Sequence, residues 1–146
     1  MLNYAYEAFE KDVKVLIEQT SAYQPDLIVA IARGGMMLGQ IMGYGLGVRN
    51  VQSIRVEAYD GECQRDTVTI SGSCDLCDVK RVLIVDDIVD SGDTLQAVID
   101  KFKRIAPDLQ IKTATLFYKP SASILPDYKV HEATEWIGFF WEKEYE

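Results

Sequence analysis

Residues 81–95 read RVLIVDDIVDSGDTL, and few stretches of this length constrain a fold so tightly. Val82, Leu83, Ile84 and Val85 form a short, mostly β-branched run, as in a strand covered on both faces. Asp86 and Asp87 follow at its end, then the turn residues Asp90, Ser91, Gly92, Asp93 and Thr94. Beyond the turn, Leu95, Val98, Ile99, Phe102 and Ile105 recur at helical spacing. The segment is therefore a strand–turn–helix unit of a parallel sheet, with two carboxylates at the strand's carboxyl end, where such sheets hold ligands.

The remaining chain repeats this alternation. Ala5, Phe9, Val13, Leu16 and Ile17 mark an amphipathic helix ending near Gln19, and Pro25 closes the linker after it. Leu27–Ala32 (LIVAIA) predicts another buried strand, broken by Gly34 and Gly35. Met36–Leu46 predicts a helix loosened by Gly39, Gly43 and Gly45. A strand over 51–58 precedes a polar stretch, 59–80, with no helical period, inside which 67–70 can pair as part of a hairpin. Further strands are expected over 81–85, 111–118 and 128–130, and 134–141 reads as an aromatic, irregular tail. Strands alternating with helices predict one α/β domain over 1–146: a mainly parallel sheet with helices on both faces. About 20 patternless residues inside a compact domain indicate a functional loop, so a flexible hood is expected at about 55–80.

Composition narrows the partners. With 48% hydrophobic residues in 146, the chain can bury one ordinary core. The net charge of −8, with no block of Lys or Arg, disfavours nucleic acid and anionic membranes as partners. No apolar run is long enough to cross a bilayer, and MLNYAYEAFEKDVK places acidic and aromatic residues where a signal peptide needs an apolar stretch. A cytoplasmic location is expected. Cys63, Cys74 and Cys77 are expected as free thiols rather than a disulfide or zinc set, since the one histidine, His131, is distant in sequence.

A negatively charged protein that binds a phosphorylated ligand must hold it with local cations, backbone N–H groups or a metal. Residues 86–94 meet that demand. The start of the helix offers unsatisfied N–H groups and the positive end of the dipole. Ser91 and Thr94 add hydroxyl donors, and Gly92 permits close backbone approach to an anion. Asp86 and Asp87 can accept from sugar hydroxyls or hold hydrated magnesium. A phosphoacceptor receiver domain also uses an acidic pair after a buried strand, but too little chain follows Asp87 to supply its later strands, phosphoacceptor and lysine. No Walker-type glycine–lysine loop is present.

Residues 81–95 resemble the phosphoribosyl-diphosphate (PRPP) binding motif of type I phosphoribosyltransferases, and nearly the whole chain resembles the small xanthine-guanine members of that family. The resemblance implies that Arg33-Gly34, in IVAIARGGMMLG, contacts the diphosphate, with Ala32 where the family usually has serine. It places Gln64-Arg65 in the hood, with Arg65 meeting the phosphates on closure. It makes Lys119, in FYKPSA, the reader of the purine O6. In EWIGFFWE it makes Trp136 the stacking partner of the base and the Ile137 carbonyl an acceptor from it, with Phe140 where the family has proline; Trp141 reads as core.

The same resemblance implies purine salvage: a 6-oxopurine and PRPP give the nucleoside 5′-monophosphate and pyrophosphate. Asp90 becomes the proton acceptor at the purine N7, Asp86 and Asp87 the ribose holders, and Asp87 the Mg²⁺ contact. Asp90, Ser91, Gly92, Asp93 and Thr94 form the cradle for the 5′-phosphate. A homodimer or homotetramer is expected. Two alternatives stand beside this reading: an adenine- or hypoxanthine-preferring enzyme, and a regulatory protein of the same fold that senses the sugar diphosphate.

Overall fold

A computed structural model of the protein describes residues 1–59 and 67–145. The chain runs β1 (Leu2–Tyr4), α1 (Tyr6–Thr20), β2 (Leu27–Ala32), α2 (Met36–Leu46), β3 (Val51–Tyr59) and β4 (Thr67–Ser71). It continues with β5 (Arg81–Val89), α3 (Asp93–Ile105), β6 (Gln110–Tyr118), β7 (Tyr128–Glu132) and β8 (Ile137–Phe139). Six strands form one sheet in the order β4-β3-β2-β5-β6-β7. All its neighbours are parallel except β3 and β4, which pair antiparallel from Arg55↔Ser71 to Tyr59↔Thr67.

Both faces of the central strands are covered, as continuous apolar runs require. Along β2, Ile28 and Ala30 face a core shared with Phe9, Val13 and Leu16 of α1 and with Leu38 and Met42 of α2. The alternate residues Leu27, Val29 and Ile31 face Leu95, Val98, Ile99 and Phe102 of α3. The period of two in the strands thus sorts one run of side chains into two cores. Each fully buried side chain such as Phe102 contributes about 1.5–3 kcal/mol.

Several expectations need correction. Strand β5 does not stop at Val85: it continues through Asp86 and Asp87 to Val89, because β6 keeps pairing with it as far as Val89↔Tyr118. Its other neighbour, β2, pairs only as far as Ala30↔Val85. The carboxylates therefore sit on a strand supported on one side only. The glycines of α2 do not loosen it. A Cβ on Gly39 would lie 2.8 Å from the Ala30 Cβ, and one on Gly43 2.8 Å from Val51 Cγ2, so they let the helix approach the sheet closely. The strand expected over 128–130 extends to Glu132.

The tail is not irregular either. Strand β8 pairs in parallel with β1, Leu2↔Ile137 to Tyr4↔Phe139, in a separate two-stranded sheet. Neither strand is long enough to show a period of its own. Phe140 extends this pairing, its N–H donating to the Tyr4 carbonyl at 3.0 Å. A proline there has no such donor. Its ring packs against Tyr6 and Phe9, at centroid distances of 5.8 and 5.7 Å.

Candidate active site

At the sheet's centre the chain passes from β2 outward to β3 and β4, then returns to β5 and proceeds the other way through β6 and β7. The carboxyl ends of β2 and β5 flank this switch point, where connections diverge and leave a crevice. Residues 33–35 leave one side of it and residues 86–92 the other. They are in direct contact. A Cβ added to Gly34 would lie 2.6 Å from Asp87 Cγ, and one on Gly35 2.9 Å from Asp86 Cα. Only glycine allows this approach of the Arg33 loop to the acidic strand. The Ala32–Arg33 peptide is cis, Gly35 N–H donates to the Ile31 carbonyl at 2.8 Å, and the Arg33 side chain is exposed.

Asp86 and Asp87 are partly buried, and each has one oxygen engaged by backbone. Asp87 N–H donates to Asp86 Oδ1 at 2.8 Å, and Ile88 N–H donates to Asp87 Oδ1 at 2.7 Å. Burial pushes the Asp86 carboxyl well above the ordinary carboxylate range, and the charge of Asp87 adds to the effect. Burial also raises Asp87, opposed by hydrogen bonds from Asp86 and Ile88, with the charge of Glu142 raising it further. Two adjacent carboxyls held up in this way form a site that a cation or hydrogen-bond donors would relieve.

The loop after β5 is braced from β6. Lys119 N–H donates to the Val89 carbonyl at 2.9 Å, and the Ser91 carbonyl accepts from Ser123 N–H at 2.8 Å and from Ser123 Oγ at 3.0 Å. Gly92 has φ +94°, and a Cβ there would lie 2.7 Å from Ser123 Oγ. Its glycine is therefore demanded by backbone conformation and by packing on residues 123–124, which the sequence did not show. Gly92 caps α3 without a side-chain hydrogen bond; Ser91 Oγ accepts from Asp93 N–H at 3.2 Å. Asp93 and Thr94 form the first helical positions, and Asp90 and Ser91 are exposed.

Lys119 and Asp90 meet directly, Nζ to Oδ1 at 2.8 Å. They line a cavity of about 420 Å³ with Asp87, Trp136, Ile137 and Glu142. Trp136 is 76% exposed although it belongs to an aromatic-rich segment, while Ile137 beside it is buried. Trp141 stacks on Phe139 at 4.8 Å and packs against the core beside α1 and α2. It also borders a second cavity, of about 710 Å³, with Arg33, Gly34, Asp87, Glu142 and Lys143. Asp87 and Glu142 belong to both cavities and stand where they meet.

Of the residues singled out in the sequence, Arg33, Gly34, Asp86, Asp87, Asp90, Lys119, Trp136 and Ile137 border these two cavities or pack directly on residues that do. Ser91, Gly92, Asp93 and Thr94 form the adjoining turn. Arg65 and Cys63 lie outside the described residues, as does the tip of the expected hood. Cys74 and Cys77 are free thiols. Glu142 is a site residue that sequence reasoning misses. Its Oε1 accepts from Phe139 N–H at 3.0 Å, which turns the carboxylate back under β8. Its place after Trp141 in EWIGFFWE is the available signal.

Known proteins resemble this chain over nearly its whole length. A family model described as "Phosphoribosyl transferase domain" matches residues 4–146. The chain is 35% identical to the xanthine-guanine phosphoribosyltransferase of Vibrio parahaemolyticus over 144 residues, 97% of this chain and 84% of that protein. Among solved structures, the xanthine-guanine-hypoxanthine phosphoribosyltransferase of Helicobacter pylori superposes with TM-score 0.90 at 35% identity, covering 97% of this chain and 93% of that one. A purine phosphoribosyltransferase from Pyrococcus horikoshii superposes with TM-score 0.89 at 34% identity, covering 98% and 95%. The chain belongs to the phosphoribosyl transferase domain family.

Proposed function

We propose that this protein is a purine salvage enzyme that transfers the phosphoribosyl group of PRPP to a 6-oxopurine. The observation that carries the reading is the Lys119–Asp90 pair at 2.8 Å in the cavity beside exposed Trp136. O6 and N7 are neighbours on one edge of a 6-oxopurine. A lysine can only donate, which suits O6; a carboxylate can only accept, which suits a protonated N7. An adenine would present its amino group to the same lysine, leaving a cation facing N–H donors. The names of the relatives, xanthine-guanine and xanthine-guanine-hypoxanthine phosphoribosyltransferase, support the same substrate class.

In the reaction, N9 of the base forms a bond to the anomeric carbon as the bond from that carbon to the diphosphate oxygen breaks, and pyrophosphate leaves with the electron pair. Asp90 takes the proton from N7, and its negative charge favours the electron-poor ribose ring of the transition state. Asp86 and Asp87 hold the ribose hydroxyls, and residues 90–94 hold the 5′-phosphate on the N–H groups that open α3. Arg33 and Gly34 receive the diphosphate, and Arg65 adds a second cation. Trp136 stacks on the base and the Ile137 carbonyl accepts from it.

Magnesium fits the donor set. Among the described residues no group of three or more His, Cys, Asp and Glu gathers as a closed metal cage. Asp87 instead offers hard carboxylate oxygens at the cleft with Asp86 beside it, the mode in which magnesium binds through one or two carboxylates and substrate oxygens. Asp87, at the junction of the two cavities, is the contact we assign. When bound, the ion neutralises charge on the departing diphosphate.

Residues 1–146 form one domain, and no helix of the described residues is long and apolar enough to cross a membrane. We assign the protein to the cytoplasm as a homodimer or homotetramer acting on small molecules. Purified protein with magnesium, PRPP and each of guanine, xanthine, hypoxanthine and adenine tests the reading. Nucleoside 5′-monophosphate is expected from the 6-oxopurines; formation from adenine alone, or from none, would contradict it.

A further inference from the structure

A second polar cluster lies behind the purine cavity, and no step of the reaction uses it. Tyr4 Oη donates to Asp12 Oδ2 at 2.7 Å, and His131 Nε2 lies 2.9 Å from the same oxygen. The three residues come from β1, α1 and β7. Tyr4 and Asp12 are 4% and 6% exposed, whereas the His131 side chain is half exposed. The other buried positions on the same helix are Phe9, Val13, Leu16 and Thr20, so Asp12 places a carboxylate on a core face. A buried carboxylate is costly unless donors satisfy it. Here one oxygen takes two. Burial and the neighbouring Asp12 push the Tyr4 phenol above its ordinary range, so it stays a donor. His131 must present a protonated Nε2.

The two donors lead to different strands beside the purine cavity. Tyr4 pairs in register with Phe139, accepts the Phe140 N–H through its carbonyl at 3.0 Å, and sets its ring edge-on against Phe139 at 5.7 Å. That strand is β8, which carries Ile137 and follows Trp136. The His131 ring lies on Phe117 at 5.4 Å and pairs in register with it, and Phe117 stands two residues before Lys119. Tyr4 also touches Phe117, edge-on at 5.1 Å. One carboxylate oxygen is thus tied to both the strand bearing the stacking platform and the strand leading to the base-reading lysine.

We propose that Asp12 is a positioning residue for the purine half of the site: through Tyr4 and His131 it sets the spacing between the Trp136–Ile137 wall and Lys119. The inference rests on the purine-transferase reading above. Asp12 touches neither cavity, so its influence reaches the base only through the two side chains it holds. The phosphate cradle is built on β2, β5 and α3, and the trio's link to that side is the longer edge-on contact of the Tyr4 ring with Trp141 at 6.4 Å. The main effect therefore falls on the purine side.

The test is steady-state kinetics with each substrate varied at saturation of the other, with the unfolding midpoint recorded for every variant. Tyr4→Phe, which keeps the ring and loses the donor, and Asp12→Asn should each raise the purine KM about tenfold, the size expected for losing one charge-assisted hydrogen bond. The KM for PRPP should stay within about twofold. His131→Leu should show the same split, and His131→Gln, which retains a donor, should recover most of the loss. Equal rises in both KM values, or a lowered midpoint with unchanged purine KM, would overturn the inference and leave the trio a fold-stabilising cluster. A wild-type protein that uses no purine would instead overturn the proposed function, and this inference with it.

Discussion

The two halves of the cleft are built in different ways. The half assigned to the phosphates rests on adjacent strands of the main sheet: Arg33 and Gly34 leave β2, and Asp86 and Asp87 stand on β5 against them. Each of its parts lies within a few residues of a buried strand. The half assigned to the purine is assembled from distant pieces: Lys119 at the end of β6, Asp90 after β5, and Trp136 and Ile137 at the start of β8, whose partner among the described residues is β1, at the other end of the chain. A sugar diphosphate needs fixed charges and N–H groups at short spacing, which one strand–helix junction supplies. A flat base needs two walls facing each other, which only tertiary packing supplies.

Substitutions on each side should therefore separate the two substrates, except at the residue where they react. Asp90→Asn should show the largest effect, lowering kcat by about 10²–10⁴ with PRPP binding largely kept, as expected for loss of a general base. Stopped-assay nucleotide formation measures it, and undiminished turnover would remove Asp90 from that role. Gly34→Ala comes next. Its Cβ would displace the Asp87 carboxyl, and misplacement on this scale should cost about 10² in kcat/KM for PRPP, with weaker PRPP binding. Lys119→Ala should weaken the binding of guanine, xanthine and hypoxanthine about 10- to 100-fold, the worth of a charged hydrogen bond, with little change for PRPP. Equal losses for adenine and 6-oxopurines would count against base reading. Phe140→Pro should have the smallest effect on substrate use: it removes the ring from Tyr6 and Phe9, which lowers stability, but toward the site it deletes only the N–H held by the Tyr4 carbonyl, about 1 kcal/mol, and should move the purine KM a few-fold.

The same contrast governs what could be read from the sequence. Residues 81–95 carry strand, acids, turn and helix in one window, so their local pattern sufficed, although β5 runs four residues further than the apolar run because β6 keeps pairing with it. Strands β1 and β8 have three residues each and depend on one another across the length of the chain, and no periodicity can reveal such a pair. Resemblance to the family singles out Trp136 and Ile137, which line the cavity, but does not reveal that Phe140 adds a hydrogen bond which the family's proline lacks. Gly92 reads in the sequence as a place where an anion can approach; its conformation and its packing on Ser123 are further demands for glycine that no local pattern reveals. Asp12 had no visible reason to be acidic until Tyr4 and His131 converged on it.

Calorimetric titration of the purine-free protein with PRPP, with and without magnesium, addresses the central claim most directly. One site per chain that requires magnesium is expected, weakened in Gly34→Ala and intact in Lys119→Ala. Absence of binding by folded protein in the presence of magnesium, or equal weakening in the two variants, would contradict the account.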